Sequence, residues 1–154
     1  MRNNKKYGIK KAAFLLGVMC ILCLAISGCG GKSAWSTLDQ ETAEAIDADF
    51  RGKVWKLEDG ELYVAKCKVK VQEDGSINSS SPSSNAPLKD SDLIPVIYTE
   101  DTKFYVRNIS GDGGESVDTE GSFEDLELHM TIDMKGEFGN DGFHPSEIRM
   151  LRFS

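Results

Sequence analysis

The residues in this sequence with the greatest capacity for chemistry are its four cysteines, since a thiolate is both a strong nucleophile and a metal ligand. Cys20 and Cys23 have the C-x-x-C spacing of thioredoxin-like redox motifs. Both lie inside a long uncharged run, however, and Cys29 follows directly after that run. Only Cys67 stands within the remaining chain, so the spacing of the first two predicts no redox site.

The segment around these cysteines has the organisation of a secretion signal. Five cations and no acid occur before residue 12, and residues 12–27 then form a run of sixteen without a charge. A membrane-spanning helix needs about 20 apolar residues. The shorter run, which contains Gly17, therefore favours a cleaved signal peptide over a permanent transmembrane anchor, with secretion of an unanchored chain as the other alternative.

The uncharged run ends with small residues before a cysteine, in the order Leu24-Ala25-Ile26-Ser27-Gly28-Cys29. This segment resembles the lipobox of bacterial lipoproteins: an aliphatic residue, two small residues and an obligatory cysteine. The resemblance covers about the first 29 residues. It implies signal peptidase cleavage between Gly28 and Cys29, a diacylglyceryl group and palmitate on Cys29, and stable anchoring through the acyl chains. The expected location is the outer, extracytoplasmic face of a cell membrane. Since Cys20 and Cys23 leave with the signal peptide and Cys29 carries the lipid, Cys67 has no disulfide partner within the chain.

Removal of residues 1–28 changes the charge of the chain. The signal peptide holds five of the 18 Lys and Arg and none of the 25 Asp and Glu, so 13 cations remain against 25 acids, a formal charge of −12. Phosphate contacts need clustered cations, so the mature chain is not expected to bind nucleic acid. Residues 29–49 are interpreted as lipid anchor, tether and possible short helix, and residues 50–154 as a single domain.

An acidic stretch is the one candidate metal site. Between Asn108 and Met134 there is no Lys or Arg, and a glycine-containing loop there carries four carboxylates that could wrap a cation, Asp112, Glu115, Asp118 and Glu120. Their spacing lacks the alternate-residue pattern of known calcium loops, so a solvated acidic loop is the preferred interpretation. No cofactor is expected.

No catalytic group can be assembled from the spacing of the remaining residues. His129 and His144 are the only histidines, and a tight hairpin between them would place them about 33 Å apart at roughly 3.3 Å per residue. The sequence has no nucleophile elbow and no glycine-rich oxyanion loop. We therefore do not expect an enzyme.

A basic row is predicted on the solvent face of the second strand, Lys66, Lys68 and Lys70, joined on the first strand by Arg51, Lys53 and Lys56. Such lysines guard a sheet edge or pair with acids across strands, for which Glu127, Asp133 and Glu137 are candidates. The alternative is a docking face for an anionic wall polymer or an acidic partner. Cys67 alternates with these lysines, so it is expected in the core as an inert thiol.

The elements that must position these side chains are mainly strands. A short helix is predicted within Thr37 to Asp49, with a capping box at Thr37-Leu38-Asp39-Gln40. Alternating hydrophobicity predicts strands at 50–57, 61–71, 94–99 continuing through 103–108, 126–138, and from 143 or 146 to 153. Glu58-Asp59-Gly60 and Asn140-Asp141-Gly142 predict hairpin turns. Residues 72–92, rich in serine, are predicted to be disordered.

Five strands with a helical turn before the fourth predict an all-β fold, as a small, partly open barrel, with a small antiparallel β-sandwich as the alternative. Residues 50–154 resemble the OB-like domains of uncharacterised bacterial envelope proteins and lipoproteins. The resemblance lies in Gly52-Lys53-Val54, Val96-Ile97-Tyr98-Thr99, Asp101-Thr102-Lys103-Phe104, Ser122-Phe123-Glu124-Asp125-Leu126, Gly136, Asp141-Gly142 and Ile148. It implies a fold and a location, but no reaction.

The leading functional hypothesis is a membrane-anchored, non-catalytic binding or scaffolding module of the cell envelope. Its partner would be another envelope protein or a wall polymer, bound on stacking surface from Trp55, Tyr63, Tyr98 and Tyr105, although these rings are equally able to form core. The second hypothesis is a cation- or small-ligand-binding lipoprotein that uses the acidic loop at 112–125. An enzyme comes third.

Overall fold

Two hairpin turns organise the β structure that the computed structural model describes over residues 35–111 and 116–154. Strand β1 (Phe50–Glu58) turns through Asp59 and Gly60, both at positive φ, into β2 (Glu61–Lys66). Leu57 then lies opposite Leu62 in the antiparallel register. The second turn joins β8 (Thr131–Phe138) to β9 (Phe143–Phe153) through residues 139–142. Both turns lie where the Asp-Gly signals predict them.

Five further strands complete the described structure, namely β3 (Lys68–Val71), β4 (Ile77–Ser80), β5 (Leu93–Val96), β6 (Lys103–Ile109) and β7 (Val117–Glu120). β3 and β4 form a separate two-stranded hairpin. The other seven strands form one sheet in the order β5-β2-β1-β8-β9-β6-β7. The described residues are mostly strand, which confirms the all-β prediction.

The large sheet curls until strands β5 and β9 meet. β5 lies beside β2 and also touches β9, so β1, β2, β5, β9 and β8 form a circuit of five strands. The link between β5 and β9 is one parallel bridge, Val96 to Phe143, supported by a 2.8 Å hydrogen bond from Ile97 N to Phe143 O. The circuit is therefore partly open at this seam and does not close into a clear barrel.

The seam depends on a glycine. Gly142 has φ +156°, and a Cβ at this position would overlap the carbonyl oxygen of Pro95 on the neighbouring strand. A side chain here would push β5 away from β9. Glycine lets the backbones approach closely enough for the Val96–Phe143 bridge to form.

The core fills the inside of the circuit. Its largest fully buried side chains are those of Phe50, Phe143, Leu62, Ile94, Ile132, Met134, Ile148 and Met150. Phe50, Phe138 and Phe143 pack together with ring centroids 5.0–5.4 Å apart. Trp35 adds a fourth ring, stacked 6.2 Å from Phe138. Trp35, within the segment predicted as anchor, tether and possible short helix, thus packs against the domain.

A single short helix lies outside the circuit among the described residues. α1 (Gln40–Ile46) begins at Asp39, whose side chain accepts a hydrogen bond from Thr42 N, and it ends at Asp47 in the left-handed conformation. The N-cap is therefore Asp39, and the predicted capping box that began at Thr37 is not formed, because the helix begins after Asp39 and not after Thr37. α1 packs on β3 with Thr42 and Ile46 buried.

The chain departs from the predicted strands in several places. The strand predicted over 94–99 ends at Val96, and β7 was not predicted. The strand predicted over 61–71 is broken at Cys67. β2 ends before it in the large sheet, and β3 begins after it in the separate hairpin. The segment at 72–92, predicted to be disordered, contains β4 and a 3₁₀ turn at Asp90–Asp92. Residues 126–130 are not strand, because they follow the 3₁₀ turn Phe123–Asp125 and pass through a turn in which His129 has φ +68°.

Candidate functional site

Three aromatic rings form the floor of a cleft, here called the aromatic cleft. Tyr98 follows β5, Phe104 lies on β6, and Phe123 follows β7. Tyr98 and Phe123 stack with ring centroids 5.0 Å apart and an interplanar angle of 27°. Phe104 meets each of them edge-on, at 5.9 and 6.5 Å. All three rings are only half buried, so they pack on the core and also present surface to solvent.

Two local turns hold these rings in place. Phe123 opens a 3₁₀ turn that ends at Asp125, whose carboxylate accepts hydrogen bonds from Ser122 N at 2.9 Å and Ser122 Oγ at 3.2 Å. Tyr98 precedes a turn in which Thr102 Oγ1 accepts from Thr99 N at 3.0 Å and donates to Pro145 O at 2.9 Å. Short polar side chains therefore fix both ends of the cleft by bonding to backbone.

The rim of the aromatic cleft is polar and mostly acidic. The cleft measures about 650 Å³ and is lined by Tyr98, Thr99, Glu100, Thr102, Lys103, Phe104, Tyr105, Glu120, Gly121, Ser122 and Phe123. This volume lies within the range of small-ligand sites, about 300–1,000 Å³. Two carboxylates and one ammonium group border it, so its charge is net negative. The lining is suited to an amphipathic or cationic group rather than to an anion.

A second cleft adjoins the first across Tyr98. It is lined by Gly60, Glu61, Leu62, Tyr63, Pro95, Val96, Ile97 and Tyr98. Tyr98 stands between the two clefts, where its hydroxyl donates a 2.6 Å hydrogen bond to Gly60 O in the β1–β2 turn. Tyr63 is half buried, and Lys56 Nζ lies 5.4 Å from its ring centroid. The ring of Tyr63 therefore reaches the surface.

The four aromatic residues proposed from the sequence are thus only partly brought together. Tyr98 and Tyr105 line the aromatic cleft, and Tyr63 shares the second cleft with Tyr98. Trp55 lies elsewhere, with its ring edge-on to His129 at 5.4 Å. Phe104 and Phe123 were not proposed from the sequence, because their meeting depends on the return of β7 beside β6.

The outer face of the sheet carries a set of ion pairs centred on two buried arginines. Arg51 and Asp133 form two hydrogen bonds, Nε to Oδ1 at 2.5 Å and Nη2 to Oδ2 at 2.7 Å, with side chains only 10% and 2% exposed. Both residues were predicted to face solvent. That prediction is wrong, because the outer face of the sheet is partly covered: Asp47, at the end of α1, contacts Arg149, which lies opposite Asp133 in the register of β8 and β9.

Arg149, on the neighbouring strand, gathers three carboxylates. Its Nη2 lies 2.7 Å from Glu147 Oε1 and 3.2 Å from Asp47 Oδ2, and its Nη1 donates to Asp47 O. Its Nε lies 3.1 Å from Asp118 Oδ2, at an angle that makes no hydrogen bond. Lys135 contacts the same Asp47 carboxylate at 2.8 Å, and this contact, followed by Arg149, lowers the pKa of Asp47.

The candidate cation ligands do not form a site among the described residues. Asp112 and Glu115 lie outside the described residues. Asp118 is held by Arg107, Nε to Oδ1 at 2.6 Å and Nη2 to Oδ2 at 2.8 Å, and this pairing lowers the pKa of Asp118. Glu120 lies at the end of β7 on the aromatic cleft. Over residues 35–111 and 116–154, no group of three His, Cys, Asp or Glu is placed to hold a metal.

The histidines and the free cysteine have separate surroundings. His144 lies 2.6 Å from Asp141 Oδ1 and opposite Glu137, not opposite Gly139 as a two-residue turn would require, because the turn spans residues 139–142. Cys67 is fully buried, as expected, but it lies outside the main hydrophobic cluster, near Arg51 and Asp133. Burial raises the pKa of its thiol to about 11, so it is not an activated nucleophile.

The predicted basic row is divided by the fold. Lys66 Nζ donates to Ser36 O at 3.0 Å, and Lys53 Nζ donates to Pro82 O at 3.0 Å. Lys68 and Lys70 are exposed on the β3–β4 hairpin, opposite Ser80 and Asn78. Only these two members of the row remain as an exposed pair of cations on one face.

The predicted lipidation site at Cys29 and the cleavage junction at Gly28 lie outside the described residues. Within the described part of the chain, no helix is both long enough and apolar enough to cross a membrane. No family model, no curated protein and no solved structure matches the chain.

Proposed function

We propose that this chain is a non-catalytic binding or scaffolding module of the bacterial cell envelope, held at the outer face of the membrane by lipid on Cys29. The observation that carries the binding role is the pair of clefts that share Tyr98. Half-buried aromatic rings contribute large contact area with little loss of conformational entropy, which suits them to recognition surfaces.

The placement of these rings supports a preformed site. Tyr98, Phe104 and Phe123 are fixed by core packing, and the turns beside them are fixed by side-chain hydrogen bonds. A ligand would therefore bind without ordering a flexible loop, so little affinity is lost on binding.

The state of the reactive groups supports a role without chemistry. Catalysis needs a nucleophile beside a base, or an acid with a matched pKa. Here the buried carboxylate of Asp133 is occupied by Arg51, and the thiol of Cys67 is buried with a pKa of about 11. Asp118 is likewise occupied by Arg107. These groups stabilise the fold and are not available to a substrate.

The proposed location rests on the signal-like segment and the lipobox resemblance. A partner at that location is another envelope protein or a wall polymer. The formal charge of −12 on the cleaved chain argues against a polyanionic nucleic acid as partner.

The experiment that tests the proposal is site-specific photo-cross-linking in intact cells. A photoreactive phenylalanine replaces Glu124, which is exposed beside Phe123, and in a matched control it replaces Glu73, which is exposed and lines neither cleft. The expected result is a discrete adduct from position 124 and none from position 73. The Cys29→Ser form should lose both membrane fractionation and the adduct.

Two outcomes would contradict the proposal in different ways. Membrane fractionation that survives the Cys29→Ser change would refute the lipid anchor. An equal absence of adducts from positions 124 and 73 would refute the binding role of the aromatic cleft, whatever the location of the chain.

A further inference from the structure

We infer that the aromatic cleft and the free edge of β7 together bind an extended segment of a partner polypeptide that carries a lysine or arginine side chain. This inference rests on the proposed function and names the chemistry of the ligand at the same site. It follows from three features that lie side by side: an unpaired strand edge, a floor of aromatic rings and a rim of carboxylates.

The unpaired edge belongs to β7. Within residues 35–111 and 116–154, this strand pairs only with β6 and is the last strand of the large sheet. Gly121 N donates to Phe104 O at 2.9 Å, and along an antiparallel ladder such bonds alternate. The backbone N–H and C=O groups of Asp118 and Glu120 therefore point away from β6. Groups in this arrangement can pair with an added strand.

The edge leads directly into the aromatic cleft. Glu120 ends β7, and the residues that follow it, Gly121 to Phe123, are part of the cleft lining. A segment that pairs with β7 and continues past Glu120 is thereby brought alongside the rings of Phe123 and Tyr98. The main chain of the ligand would bind the edge, and one of its side chains would enter the cleft.

The charge of the site selects a cation. Glu100 and Glu120 line the cleft against the single ammonium group of Lys103, and no Lys or Arg occurs between Asn108 and Met134. The faces of aromatic rings attract cations within about 6 Å of the ring centroid. A second copy of this chain, paired edge to edge, would instead bring Glu120 near its own like charge.

The inference is tested with synthetic peptides and the full chain in neutral detergent micelles, by isothermal titration calorimetry. The probe is a short peptide of alternating threonine and lysine, and the matched control alternates threonine and glutamate. The lysine peptide should bind more weakly as salt is raised, because salt screens the exposed carboxylates. The glutamate peptide should not bind.

The variants give changes of opposite sign. Glu120→Gln should weaken binding by about two- to fivefold, as expected for one exposed ion pair, and Lys103→Gln should strengthen it by a similar factor. Phe123→Leu keeps an apolar side chain but removes the ring, and it should weaken binding by about two- to fivefold. Glu137→Gln, an exposed change away from the cleft, should have no effect.

The edge is tested from the side of the ligand, so that the protein is unchanged. N-methyl groups on alternate peptide residues remove every second main-chain donor. Methylation in the register that faces β7 should abolish binding, and methylation in the other register should not. If methylation weakens binding equally in the two registers, the peptide does not pair with β7 as an added strand.

Two results separate this inference from the proposed function. If the lysine peptide fails to bind, or a neutral saccharide binds with an affinity independent of salt, the cationic ligand is refuted while cross-linking at position 124 can still support a binding module. If cross-linking at position 124 also fails, both are refuted.

Discussion

Breaking the buried pair between Arg51 and Asp133 should be one of the most costly single changes in this fold. The change Asp133→Asn leaves the guanidinium of Arg51 almost fully buried without its counter-charge. Removing one partner of a buried ion pair costs about 3–5 kcal/mol, so we expect a loss of this size in the free energy of unfolding. For a domain of this size that corresponds to a fall in Tm of roughly 10–20 °C.

The measurement is urea unfolding of the full chain at neutral pH, followed by tryptophan fluorescence. The double variant Arg51→Met with Asp133→Leu removes both charges and keeps apolar volume, so it should be more stable than Asp133→Asn alone. Glu58→Gln is the control, because its pair with Lys56 is exposed at 3.6 Å, and it should change stability by less than about 1 kcal/mol.

The reasoning would be refuted by either of two results. If Asp133→Asn costs no more than Glu58→Gln, the pair is not desolvated in solution and the outer face of the sheet is not covered as described. If the double variant loses as much stability as Arg51→Met and Asp133→Leu lose when each is measured alone and the losses are added, the two residues act independently.

Four further outcomes are expected. A membrane-impermeant maleimide should fail to label Cys67 in the native protein and should label it rapidly after unfolding, since burial raises the pKa of the thiol to about 11. Pairing with Arg107 lowers the pKa of Asp118 from its ordinary value of 3.8, so the ionised carboxylate stabilises the fold above about pH 4. The free energy of unfolding should fall as the pH drops below about 4, and the fall should be less steep in Asp118→Asn. Titration with Ca²⁺ should give no heat, because Asp118 is occupied by an arginine. Reversing the charges of Lys68 and Lys70 should reduce retention on isolated cell wall if that hairpin contacts an anionic polymer, and unchanged retention would exclude it.

The strands that alternation predicts best are those with one face against the core. β1 and β9 begin and end within a residue or two of their predicted bounds, because Phe50, Val54, Ile148 and Met150 alternate with outer residues. The pattern failed where a turn imitates it. Leu126 and Leu128 continue the alternation of β8, yet Leu128 is 57% exposed in a turn.

Alternation distinguishes two faces of a strand, but it does not show whether a second layer covers the outer face. Arg51 and Asp133 were placed in solvent on this ground, and both are buried. Their pairing joins residues 82 positions apart, which only the register between β1 and β8 brings opposite each other.

The aromatic cleft was partly predictable. Tyr98 and Tyr105 were named from their type, since tyrosine combines an apolar ring with a polar tip. Phe104 and Phe123 were not, because their meeting depends on β7, which returns beside β6, and on the 3₁₀ turn after it. The residues around each phenylalanine do not indicate that β6 and the 3₁₀ turn lie side by side.

The contact between Gly142 and the carbonyl of Pro95 bears on how distant kin of this chain can be identified. Substitutions at exposed positions away from such contacts change stability little, so these positions can vary between diverging sequences. Position 142 does not share that freedom while the bridge from Val96 to Phe143 persists, because any Cβ overlaps the facing backbone. A glycine one residue before the last strand, spaced correctly from an extended segment like Leu93–Val96, is therefore a signature that should outlast general similarity.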